Sequence, residues 1–187
     1  LASSLADSEP RVADAAVQSL GMLRGEDVNR VLVERLKTDP PAARARLVET
    51  LSARDAVEAA PVLLELAAGS QPRVAVAAVQ ALQTLAGENE LEGLLELAIR
   101  TDASMGLRKS ARQALLATAD RTQMRAWAAG RTAEECRHAD GERKSACVEL
   151  LGELGHPAGL AALREALHQP DAENVDDDLR SAAIRAM

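Results

Sequence analysis

The chain has 187 residues and a formal net charge of −7, with 47% hydrophobic but only 1% aromatic residues. That charge opposes non-specific attraction to nucleic acid or to an anionic membrane surface, and no apolar run approaches the roughly 20 residues that span a bilayer. Without Phe or Tyr, and with Trp127 as the single Trp, the interior must be filled by Ala and Leu, which suits closely packed helices better than strands.

Leu1 to Ala6 reads as the tail of a helix. Asp7-Ser8-Glu9-Pro10 then carries turn and N-cap chemistry and puts Pro at a helix start. A first helix is expected over about Arg11 to Leu23, with Val12, Ala16, Val17 and Leu20 on one apolar face. Gly25-Glu26-Asp27 breaks it, and a second helix follows with Val28, Val31, Leu32 and Leu36 inward. The next pair opens at Thr38-Asp39-Pro40-Pro41. Its first helix runs from Ala42 to about Ala53 with Leu47, Val48 and Leu51 inward, and its second spans about Glu58 to Ala68. Pro61 must lie in the first turn of that helix, since deeper in it would cost about 3 kcal/mol.

Pro72 to Ala98 forms a third pair, with Val74, Ala78, Val79 and Leu82 inward on one helix and Leu91, Leu94, Leu95 and Ala98 on the other. In a fourth pair, Leu107, Ala111 and Leu115 carry the first helix, and Met124 and Trp127 stand where Leu91 and Leu94 stood. A long polar connector is expected from about Gly130 to Gly141. A fifth pair follows, Arg143 to Leu154 and then Leu160, Leu163 and Leu167 beyond Gly155-His156-Pro157. After an acidic connector from Gln169 to Asp177, Asp178 to Met187 begins a further helix. Both ends therefore stop inside a repeat, and the chain reads as a piece of a longer protein.

The repeat is explicit in the residues. Pro10-Arg11-Val12-Ala13 recurs unchanged as Pro72-Arg73-Val74-Ala75, two steps of 31 positions later. A ruler of Leu20, Leu51, Leu82, Leu115, Leu151 and Met187 gives steps of 31, 31, 33, 36 and 36. A two-helix unit of this size cannot bury its own apolar face, whereas stacked units share a continuous core. The string Leu151-Gly152-Glu153-Leu154-Gly155-His156-Pro157-Ala158-Gly159-Leu160, like Pro72 to Ala98, resembles the short bacterial HEAT repeat, the type also found in phycobilisome lyases. The resemblance implies an all-α, right-handed α-solenoid of about five helix pairs with partial repeats at both ends, forming a single domain over residues 1–187. It is specific for fold and nearly silent on activity, because the matching residues belong to core and turns.

Enzymes of that family can be tested residue by residue. The deoxyhypusine hydroxylases use His-Glu pairs to hold iron, but here Ala139 follows His138, Pro157 follows His156 and Gln169 follows His168. HEAT-type DNA glycosylases need a basic groove with aromatics, against which the charge and the lone Trp both count. The alternatives to a binding scaffold are a phycobilin-lyase-like or other small-ligand role, for which a chromophore pocket is hard to build without Phe or Tyr, and a regulatory module within a larger enzyme. No Gly-rich phosphate loop and no catalytic constellation stands out, so no catalytic residue and no cofactor is expected.

Two cysteines and the Trp each admit two readings. Cys147 occupies the repeat position of Ala16 and Ala78, so it is expected to be buried, and Cys136 is placed at the edge of the polar connector. They are either two unrelated thiols or a disulfide closing a loop of about 11 residues, worth about 2–3 kcal/mol if unstrained. A bond would point to an oxidising compartment, and its absence to the cytoplasm. A zinc site from Cys136, His138 and Cys147 has a poor ligand pattern, and no metal is expected. Trp127 is either a core filler in the place of Leu94 or a hot spot for a partner.

One polar pattern survives the repeat alignment. Glu34, Glu65 and Glu96 lie 31 positions apart, and Glu165 falls at the equivalent place in the fifth pair, while Ala129 breaks the row in the fourth. The family resemblance implies that second helices line the concave side. This row is either a solvated face or a groove for a basic peptide or domain. The function expected is a non-enzymatic protein–protein interaction scaffold.

Overall fold

The structure, a computed structural model, describes residues 9–23 and 25–168. The helical tail expected at Leu1 to Ala6, the acidic connector from Gln169 and the last helix to Met187 lie outside the described residues. All regular structure among the described residues is helical. The helices are α1 (Pro10–Met22), α2 (Glu26–Thr38), α3 (Pro41–Ala53), α4 (Ala60–Ala68), α5 (Pro72–Leu85), α6 (Leu91–Ile99), α7 (Met105–Arg121), α8 (Arg125–His138), α9 (Gly141–Leu154) and α10 (Leu160–His168). Short 3₁₀ turns, Val57–Ala59, Glu88–Glu90 and Pro157–Gly159, lead into α4, α6 and α10. Proline opens α1, α3, α4 and α5. Its missing N–H falls where a helix has no acceptor to offer, and its fixed φ suits the first turn.

The chain divides between Glu90 and Leu91 into two compact units. In the first, α5 packs on α3 and α4, and α3 also receives α1 and α2. The ruler leucines Leu20, Leu51 and Leu82 are all buried there, as are Leu32, Leu36, Leu47 and Leu63. Each such side chain removed from water contributes about 1.5–3 kcal/mol, which is how a core without aromatics holds. In the second unit α6 packs on α7 and α9, while α8 packs on α9, on the turn Pro157–Gly159 and on α10. Its core contains Leu91, Leu94, Leu95, Leu115, Leu151 and Leu154. Gly159 lets the turn close on α9, because a Cβ there would stand 2.8 Å from Leu151 Cδ2.

The helix ends show the same devices in both units. α3 ends with Asp55 at φ 51° and α7 with Gln123 at φ 60°, each followed by an amide that donates back into the helix, Ala56 N to Leu51 O at 3.1 Å and Met124 N to Ala119 O at 2.8 Å. These are Schellman closures, which satisfy carbonyls that the helix leaves without a donor. Gly155, φ 56°, ends α9 at the left-handed conformation that glycine adopts without strain. Arginines from neighbouring segments cap further carbonyls. In the first unit Arg54 Nη1 donates to Leu20 O at 2.8 Å and Leu23 O at 2.6 Å, closing the end of α1. In the second, Arg125 Nη1 donates to Leu154 O at 2.5 Å, closing α9.

Three expectations change. The polar connector expected from Gly130 is helix: α8 continues to His138. Its inward stripe is Ala128, Ala129, Thr132, Ala133 and Cys136, all buried at helical spacing, so small residues do what leucines do elsewhere. Ala129 is therefore a core residue, and Trp127 lies beside the stripe, half-buried, rather than within it. Val12 and Val31, expected inward, are 39% and 53% exposed. The chief packing partner of both their helices is α3, and one neighbour covers only one side of a helix.

Candidate functional site

Helix geometry brings a carboxylate outward at the repeat position in each unit, but its surroundings differ. In the first unit Glu34 on α2 is exposed and pairs with Lys37 Nζ at 3.2 Å, one turn along the same helix. Glu65 on α4 is exposed and has no side-chain partner among the described residues. In the second unit Glu96 on α6 is clamped: Arg143 Nη2, from α9, donates to its Oε1 at 3.1 Å and its Oε2 at 3.0 Å. Glu165 belongs to α10, but its side chain lies outside the described residues.

The clamp is part of a network that joins three helices. Arg143 also donates to Glu135 Oε2 on α8 at 3.2 Å. Arg131 on α8 donates to Glu92 on α6 at 2.6 Å, to Glu134 at 2.6 Å and to Glu135 at 3.3 Å. The hydrogen bond to Glu96 raises the Arg143 pKa against an opposing effect of burial, with Glu135 adding to the rise. The Arg131 pKa is raised in the same way, first by Glu92 and then by Glu134. Four carboxylates thus surround two guanidiniums, and the patch keeps a net negative charge. Repeat register marks only Glu96 among these residues. Arg131, Glu134 and Glu135 carried the local signal of ion pairs at i,i+3 and i,i+4, which a helix at that place would have exposed.

Cys136 on α8 and Cys147 on α9 are both buried and are held as thiols, with no disulfide between them. Burial above all, with the neighbouring Cys136 adding and Arg143 opposing, pushes the Cys147 thiol from an ordinary 9.0 up to about 12. The thiolate is the nucleophile and the metal ligand, so Cys147 is chemically quiet at neutral pH. Among the described residues no group of three or more His, Cys, Asp or Glu side chains could hold a metal ion. His156 accepts a hydrogen bond from Ala158 N at 3.2 Å and so caps the turn Pro157–Gly159. No helix among the described residues is long and apolar enough to cross a membrane.

Among the described residues, then, regular structure is helical, and exposed carboxylates recur at steps of 31 positions on α2, α4 and α6. In comparison with known proteins, the chain matches no protein-family model and no curated sequence.

Proposed function

We propose that this chain is a non-enzymatic protein-interaction scaffold, built as a HEAT-like right-handed α-solenoid and binding a partner of basic character along its second helices. The observation that carries this reading is the exposure of Glu34, Glu65 and Glu96, three carboxylates at one repeat position, none of them used in a core. A row of this kind adds little to stability, because exposed ion pairs contribute only about 0–1 kcal/mol. It can still steer and select a basic partner through its field, an effect that salt weakens.

The test is affinity for the native partner, with a lysine-rich peptide as a second probe, at low and at high salt. The fourfold variant with Glu34, Glu65, Glu96 and Glu165 all replaced by Gln is expected to keep its thermal midpoint, to bind several-fold more weakly at low salt and to approach the wild type at high salt. Equal affinities at both salt concentrations would overturn the reading.

A further inference from the structure

The second unit also contains a groove of about 380 Å³, walled by α7 and α9 over the end of α6. Its floor is apolar, formed by Ala98 and Ala146, and Met105 stands at its edge with 75% of its surface exposed. Arg112 crosses between the walls, paired from α7 to Glu149 and Glu153 on α9, the latter at 3.6 Å, and its buried Nε has no hydrogen-bond acceptor. Arg108 on α7 and Glu142 on α9 line the same groove, yet form no ion pair with each other or with any other described residue. Arg112, Arg125, Arg131 and Arg143 of this unit are all ion-paired. A half-buried guanidinium and a carboxylate left open on opposite walls, above an apolar floor, present a dipole with nothing set against it among the described residues.

We propose that this groove is a second docking site, which takes a polypeptide segment of a partner carrying an acidic and a basic side chain on either side of an apolar one. The segment's carboxylate pairs with Arg108, whose planar fork suits bidentate contact, its cation pairs with Glu142, and its apolar side chain lies on Ala98 and Ala146 against Met105. The volume lies in the lower part of the range for binding sites, about 300–1,000 Å³, and admits a few side chains. Because Met105 and Glu142 are exposed at the rim, the groove is open, as a polypeptide chain passing through it requires. The groove shares no lining residue with the row of carboxylates and binds its segment whether or not that row has a partner.

Methionine methyl groups give the test a local readout, since the chain has only Met22, Met105, Met124 and Met187. The full chain, methyl-labelled at Met, is titrated with a short synthetic peptide in which Glu and Lys flank a Leu. The controls are the same peptide with both charges replaced by Gln, and free glutamate and lysine. The Met105 methyl is expected to shift with the charged peptide while Met22 and Met124 stay in place. Arg108→Glu or Glu142→Lys alone should weaken the titration by about tenfold or more, the worth of a charge-assisted hydrogen bond. The double variant should recover much of it, with the peptide bound in the reverse direction. No Met105 shift at millimolar peptide, an equal shift with the Gln peptide, or a titration indifferent to Arg108→Glu would each overturn the proposal. An equal response to the free amino acids would overturn it in favour of a small zwitterion.

Discussion

Glu65 and Glu96 are repeat equivalents, 31 positions apart on the short helices α4 and α6, and two residues before each lies a fully buried leucine, Leu63 or Leu94. The inward halves of the two positions match. The outward halves do not: Glu65 is exposed with no partner among the described residues, while Glu96 is held by Arg143 from 47 positions further on. Burial within a repeat follows from helical spacing, which each helix carries in its own residues. The electrostatic state of an exposed side chain depends on whichever helix happens to pass beside it. In the second unit α8 and α9 bring Arg131 and Arg143 to α6, and equivalence in the repeat ends at the surface.

The largest effects should confirm the inward equivalence. Leu63→Ala and Leu94→Ala should each cost about 2–5 kcal/mol in chemical denaturation, the range for emptying a fully buried leucine site. A cost below 1 kcal/mol at either position would show that the two helices are not packed alike.

A second effect belongs to the clamped side alone, where Cys147 lies buried near Arg143, Glu135 and Glu96. Its thiol has a pKa near 12 in the folded chain against an ordinary 9.0, so the fold favours the neutral form. The stabilisation this gives is fully present below about pH 9 and is lost as pH rises toward 12. Denaturation followed across that range should show stability falling with pH, and Cys147→Ala should flatten the slope. Cys147 in the native chain should also resist alkylation at pH 8 and react once the chain is unfolded.

The smallest effects separate the two carboxylates. Arg143→Gln should lower stability by about 0.2–1 kcal/mol, less at high salt, as expected for a partly exposed ion pair. Glu65→Gln should fall within about 0.5 kcal/mol of the wild type, because no described residue is paired with it. Thermal melts of the two variants at low and high salt make the comparison. A larger cost for Glu65→Gln than for Arg143→Gln would reverse the assignment.

The sequence by itself determined the helices that carry leucine. The ruler positions Leu20, Leu51, Leu82, Leu115 and Leu151 are all buried, and Pro61 opens its helix within the first turn, because spacing and proline chemistry act over one or two turns of the same helix. The extent of α8 was also written in the residues, as Ala128, Ala129, Thr132, Ala133 and Cys136. It stayed illegible because small side chains count as core only once a close neighbour is known. Tertiary structure alone decided that Val12 and Val31 face outward and that two cysteines on different helices share one interior. It also gave Glu96 its clamp and left Arg108 and Glu142 across a groove with no ion pair among the described residues. Each of these depends on pairs of residues far apart in the chain, and the repeat fixes what a residue does within its own helix but not which helix will lie against it.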